Sequence, residues 1–213
     1  LTLVAAQAQA VVIRIDDFAT NSTPVFDLTN NGNAVTGPVQ PIIVNGRALT
    51  RQLSINLTSA LPPVQDNAIV SDGVYDLTNG VGDQTEARLI YAIDGLAPAF
   101  PRLGDLSDLT LLLRIVESDG NPSQIETLMN GNSLAVTQIA PNTMNQPISV
   151  PLDPTQQLNG SLQFVLTGAP GYDITLNLIA VNAVPNNLNV PAPSALVLFG
   201  LGLIGLSARR RAK

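Results

Sequence analysis

Turn dipeptides punctuate this chain, and the stretches between them are too short and too regular in their alternation for anything but β-strands. Asn31-Gly32, Asp72-Gly73, Asp94-Gly95, Asp119-Gly120, Asn130-Gly131 and Asn159-Gly160 each place an Asn or Asp before a glycine. Two-residue hairpin turns favour that pair because both positions tolerate positive φ. The clearest alternation runs from Leu49 to Thr58, where Leu49, Arg51, Leu53, Ile55 and Leu57 share one face and Ser54, Asn56 and Thr58 the other. Period two sends successive side chains to opposite faces, so this segment reads as a half-buried strand. Similar runs are Val11–Phe18, Ala68–Leu77, Glu86–Ile93, Leu109–Val116, Gln124–Met129, Leu134–Ile139, Ile148–Leu152, Leu162–Thr167 and Asp173–Val181. Only Leu103–Leu112 competes as a helix, and the β-rich Leu109–Val116 segment takes it over. No helical pattern separates consecutive strands, so no parallel βαβ rhythm is present. About ten strands in ~170 residues predict one antiparallel β-sandwich, most simply a jelly roll.

Composition narrows the chemistry. The chain has no His, Cys or Trp, which removes cysteine and histidine catalysis, Cys/His zinc sites and disulfide frameworks. Four of its ten basic residues (Arg209, Arg210, Arg211 and Lys213) lie in the last five positions. What precedes them holds six basic against sixteen acidic side chains, a charge of −10. Such a body is not drawn to nucleic acid or to an anionic membrane surface.

The two ends read as addresses. Residues 1–10, a short apolar stretch closing on Ala8-Gln9-Ala10, have the small-x-small pattern of a secretory signal remnant. Residues 11–183 are assigned to the sandwich and 184–194 to a linker. From 195 to 206 no side chain is polar, and a helix over 195–208 would be about 21 Å long at ~1.5 Å per residue. That is short of the ~30 Å hydrocarbon core. The flanks favour a short membrane helix all the same. Pro191 and Pro193 bar its extension upstream, glycines at 200, 202 and 205 are ordinary in membrane helices, and the basic residues 209–213 mark a cytoplasmic tail.

Val190-Pro191-Ala192-Pro193-Ser194, the glycine- and leucine-rich stretch and the terminal arginines together resemble the PEP-CTERM sorting signal of Gram-negative bacteria. In that family a Pro-Glu-Pro motif precedes a short membrane helix and a basic end; here Ala192 stands in the position of the Glu. The resemblance implies export across the inner membrane, processing by an exosortase-type enzyme and a place at the cell surface or in an exopolysaccharide matrix or biofilm. Ile15-Asp16-Asp17-Phe18 and Tyr172-Asp173-Ile174-Thr175-Leu176-Asn177-Leu178-Ile179 are similar to the first and last strands of secreted jelly-roll domains related to carbohydrate-binding modules. Jelly rolls of that type often hold a structural calcium near those strands, which makes Asp16, Asp17 and Asp173 the candidate ligands. Neighbouring residues of an extended strand point to opposite faces, so at most one of Asp16 and Asp17 would ligate.

Other constellations are thin. A glycosidase needs two carboxylates flanking the bond it cuts, and among the three glutamates Glu86 and Glu117 sit on different expected strands. Strand glutamates ordinarily face solvent, so no catalytic residue is assigned and the chain is expected not to be an enzyme. A sugar-binding face needs exposed rings, for which Tyr75 and Tyr91 are the candidates, Tyr172 being a third, although the mixed patterning of their strands equally fits half-buried core tyrosines at 75 and 91; Phe18, Phe26, Phe100 and Phe164 are expected in the core. The expected function is that of an exported surface or matrix protein with exopolysaccharide as a candidate partner. A carbohydrate-binding module and, further off, a carboxylate-dependent polysaccharide hydrolase are the alternatives.

Overall fold

The structure, a computed structural model, describes residues 10–44, 46–59, 66–94, 96, 106–153 and 158–185. Their regular elements are all strands: β1 Val11–Asp16, β2 Val25–Phe26, β3 Val35–Thr36, β4 Gln40–Val44, β5 Arg47–Ser59, β6 Asn67–Ser71, β7 Val74–Thr78, β8 Gln84–Ala92, β9 Leu106–Ser118, β10 Ser123–Met129, β11 Asn132–Ile139, β12 Met144–Leu152, β13 Ser161–Gly168 and β14 Ile174–Pro185. They form two antiparallel sheets. One runs β12-β9-β14-β7-β6-β2, with β1 also paired to β14; the other runs β11-β10-β13-β8-β5-β3, with β4 also paired to β5.

The alternation read from Leu49 to Thr58 is the observed one. Leu49, Arg51, Leu53, Ile55 and Leu57 are all buried. With Leu89, Phe164 and Leu166 they face Leu111, Leu113, Ile115, Leu176 and Ile179 of the other sheet across one continuous core. Two sheets, each apolar on its inner side, have nowhere else to put those side chains.

Several expectations are corrected. Ala68–Leu77 is a hairpin of β6 and β7 rather than one strand, reversing at Asp72 (φ 52°) and Gly73 (φ 84°). Asn130 (φ 52°) and Gly131 (φ 79°) make the same kind of turn between β10 and β11. Strands β2, β3 and β4 were not expected: two are only two residues long, and the third carries Pro41, which argues against a strand when read locally. Phe26, expected in the core, is 52% exposed.

Two of the outer strands carry prolines. Strand β12, outermost in its sheet, carries Pro147 and Pro151, and β4 on the other sheet carries Pro41. Proline has no N–H to offer an incoming strand, and an edge position is where a sheet accepts it.

The sandwich has two distinct ends. At one, β14 finishes and leads toward the tail, beside the start of β1 (Val11 opposite Ala183) and of β9 (Leu109 opposite Ala183). At the other, loops are stitched by backbone bonds: Ser118 N to Thr143 O (2.9 Å), Asn142 N to Asp119 O (2.6 Å), Asp119 N to Asp173 O (3.3 Å) and Gly171 N to Asp83 O (2.7 Å).

Candidate functional site

Asp16 does hold a cation, but the cation is a side chain. A bulge in β1 between Arg14 and Asp16 breaks the alternation, so Ile15 and Asp16 both turn inward and Asp16 is 1% exposed. Its Oδ2 lies 2.7 Å from Arg51 Nη1 and accepts from the Tyr91 hydroxyl at 2.9 Å. Its Oδ1 accepts from Phe18 N at 2.7 Å, which holds Phe18 at a φ of 56°. Arg51 Nη2 donates to Gln40 Oε1 (2.8 Å) and to the carbonyl of Thr20, and its guanidinium carbon sits 5.8 Å from the centre of the Phe18 ring. Burial pushes the Tyr91 hydroxyl well above its ordinary range, and the adjacent Asp16 charge adds to this.

The expected calcium triad does not assemble. The first and last strands pair, but the register sets Asp16 opposite Ile179, six residues beyond Asp173. At ~3.3 Å per strand residue that separates the two carboxylates by about 20 Å. Asp17 points the other way and meets Arg14 at 3.7 Å on the surface. Asp173 lies at the far end of the sandwich, its Oδ1 accepting from Asn79 N at 2.7 Å. Burial raises its pKa, opposed by that hydrogen bond and assisted by the charge of Asp119. With Glu117 and Asp119 it lines an open groove beside Ser118, Ile174 and Thr175. Among the described residues no three acidic, histidine or cysteine side chains are placed to hold a metal ion.

Tyr75 and Tyr91 present no ring to a ligand: both are 0% exposed, as is Tyr172. Tyr75 packs 6.3 Å from Phe18 and Tyr91 stands edge-on to Phe164 at 6.2 Å, ring centre to ring centre. Phe26 is instead the exposed aromatic ring among the described residues, on β2 directly opposite Asn67 of β6. Glu86 and Glu117 lie in different sheets, where Glu86 is engaged by Arg88 (2.7 Å to Nε) and Glu117 faces solvent. They flank no common space.

A second buried polar cluster escaped the sequence reading. Asp27, Asp66 and Asp83 are each 0% exposed and come from three different connections at the far end of the sandwich. Each abuts a strand and falls on its inward parity, Asp27 with Val25, Asp66 with Ala68 and Val70, and Asp83 with Thr85 and Ala87, a signal that runs one residue past the strand ends.

The expected signal remnant (1–10, all but Ala10), the motif Val190, Pro191, Ala192 and Pro193, the helix 195–208, and the basic residues Arg209, Arg210, Arg211 and Lys213 lie outside the described residues. Among those described, no helix is long and apolar enough to cross a membrane.

Comparison with known proteins bears on both parts of the chain. Residues 189–211 match the PEP-CTERM protein-sorting motif. The chain therefore carries that sorting signal and is an exported protein, directed to the cell envelope. No curated protein matches the sequence. Among solved structures, the carbohydrate-binding module CBM4 is similar at 10% identity and TM-score 0.41, over 80% of this chain and 99% of its own. A CBM61 module in complex with β-1,4-galactotriose is similar at 8% identity and TM-score 0.33, over 62% and 86%. A family 29 module from Piromyces equi is similar at 8% identity and TM-score 0.31, over 70% and 91%.

Proposed function

We propose that this chain is a non-catalytic structural protein of the cell surface or extracellular matrix, anchored in the inner membrane by its tail until an exosortase-type enzyme processes it. The observation that carries this reading is the sorting motif at 189–211, which begins four residues after β14 ends at Pro185. The body supports it. Its two buried ionic or acidic clusters are closed off from solvent, Glu86 and Glu117 lie in separate sheets, and neither arrangement offers a nucleophile with a base beside it. Its acidic character suits a hydrated polymer matrix, where like charge keeps copies dispersed.

Topology tests the reading directly. A reporter fused after Lys213 stays in the cytoplasm, while one inserted at Asn186 is active outside; the reverse pattern removes the proposal.

Glycan binding is the second reading, favoured by the outward Phe26 ring, which offers an apolar face with the Asn67 amide beside it. A glycan array with the intact protein and Phe26→Ala separates the two. Silence with both fits a structural role, whereas a discrete ligand lost on Phe26→Ala makes the body a binding module.

A further inference from the structure

The far end of the sandwich holds three buried aspartates that differ in how well they are satisfied. Asp27 is fully engaged, its Oδ1 accepting from Thr29 N (3.0 Å) and its Oδ2 from Leu57 N (2.8 Å). Asp66 is not. Its Oδ1 accepts from Gly80 N at 2.7 Å, but its Oδ2 is buried with no hydrogen-bond partner among the described residues. Its side-chain neighbour is the carboxyl of Asp83. The backbone clamps Asp83 in place, Asp83 N donating to Gly80 O (3.0 Å) and Asp83 O accepting from Gly171 N (2.7 Å). Two buried carboxylates side by side repel, whereas a carboxylic acid beside a carboxylate donates a hydrogen bond to it.

We propose that Asp66 and Asp83 form an acid-closed latch, in which one shared proton ties the start of β6 to the loops between β7 and β8 and between β13 and β14. Among the described residues the titratable groups that face Asp66 are Asp83 from the β7–β8 loop, Asp27 from the segment after β2 and Tyr172 from the β13–β14 loop, none of them cationic. Burial, the largest cause, raises the Asp66 pKa from 3.8 to about 6; the Gly80 N–H opposes this, and the Asp83 and Asp27 charges reinforce it. The folded chain therefore keeps this proton over a pH range in which the unfolded chain has released it. The stabilisation is complete below about pH 4 and is lost as pH rises through about 6. An exported body meets a medium whose pH the cell does not hold constant, so its far end tightens in acid and loosens at neutral pH. The latch chemistry itself is independent of the proposed matrix role.

The test is a carbon-detected carboxyl titration of the intact protein, paired with thermal melts of wild type and Asp66→Asn between pH 4 and 7.5. Asp66 is expected to titrate near pH 6. The asparagine amide donates to Asp83 without needing a proton. Asp66→Asn therefore melts about 5 °C above wild type at pH 7.5, and the two converge in acid. Parallel melting curves for the two proteins overturn the latch. So does an Asp66 midpoint in the ordinary carboxylate range, which decides the matter even if the variant fails to fold.

Discussion

Replacing Arg51 with methionine lowers the stability of the protein by about 4 kcal/mol, and its melting temperature by about 10 °C, the largest effect expected of any single change here. The methionine fills much of the space of the arginine stem but leaves the Asp16 carboxylate, 1% exposed, without the guanidinium 2.7 Å away. An intact buried pair contributes little net stability, because its attraction mainly repays the cost of removing two charges from water. Breaking it from one side leaves that cost unpaid for the partner. The same change frees the Thr20 carbonyl and Gln40 Oε1, so the 19–24 loop loses its tie to β5, while β4 keeps only its backbone ladder. Adding Asp16→Asn to Arg51→Met recovers part of the loss, since the asparagine carries no charge and its Oδ1 still accepts from Phe18 N. Calorimetry of the two single variants and the double variant measures this. A double variant as unstable as the two losses summed shows that the residues do not act as a pair.

Gly168→Ala is next in size, at about 3 kcal/mol. A Cβ on Gly168 would sit 2.4 Å from Cγ and 2.6 Å from Cδ1 of the Tyr172 ring, well inside contact distance. The ring is poorly placed to yield. It is 0% exposed, and its hydroxyl is shared between the carbonyls of Leu166 (2.8 Å) and Thr85 (3.2 Å). Its own carbonyl receives the side-chain amide of Asn79. Accommodation therefore requires the β13–β14 turn to open, which exposes the ring. A melt unchanged by Gly168→Ala, with tyrosine fluorescence still that of a buried ring, shows that the loop adapts freely and that the close approach has no energetic weight.

What the sequence reveals and what it hides follow from the range of each signal. Period two is local, so the face assignments of β5 and β8 are legible, down to Arg51 on an apolar face. A charge there already announces a buried partner. The same parity should have placed Tyr75 with Leu77 and Tyr91 with Leu89, all four of them buried. Reading those tyrosines as sugar platforms gave ring chemistry more weight than the alternation allowed. Register is not local. That β1 and β14 pair, and with the offset that puts Asp16 against Ile179, depends on a bulge and on the remaining strands. The calcium triad failed for that reason. Asp66 and Asp83 obey the same parity, Asp66 in step with Ala68 and Val70 and Asp83 with Thr85, Ala87 and Leu89, all buried; only their meeting at the end of the sandwich depends on the rest of the fold.

The prolines on the outer strands bear on life at high density. Under the proposed role at a surface or in a matrix, each copy of the protein would be set among others. An all-β body with bare edges would then grow by zipping strand to strand, and a reversible layer would harden into fibres. Pro147 and Pro151 on β12 and Pro41 on β4 leave gaps in the row of donors that such growth needs. Growth strand to strand is therefore hindered along β12 and β4, and β11, outermost in its sheet and without proline or charge, is the edge through which copies could still join.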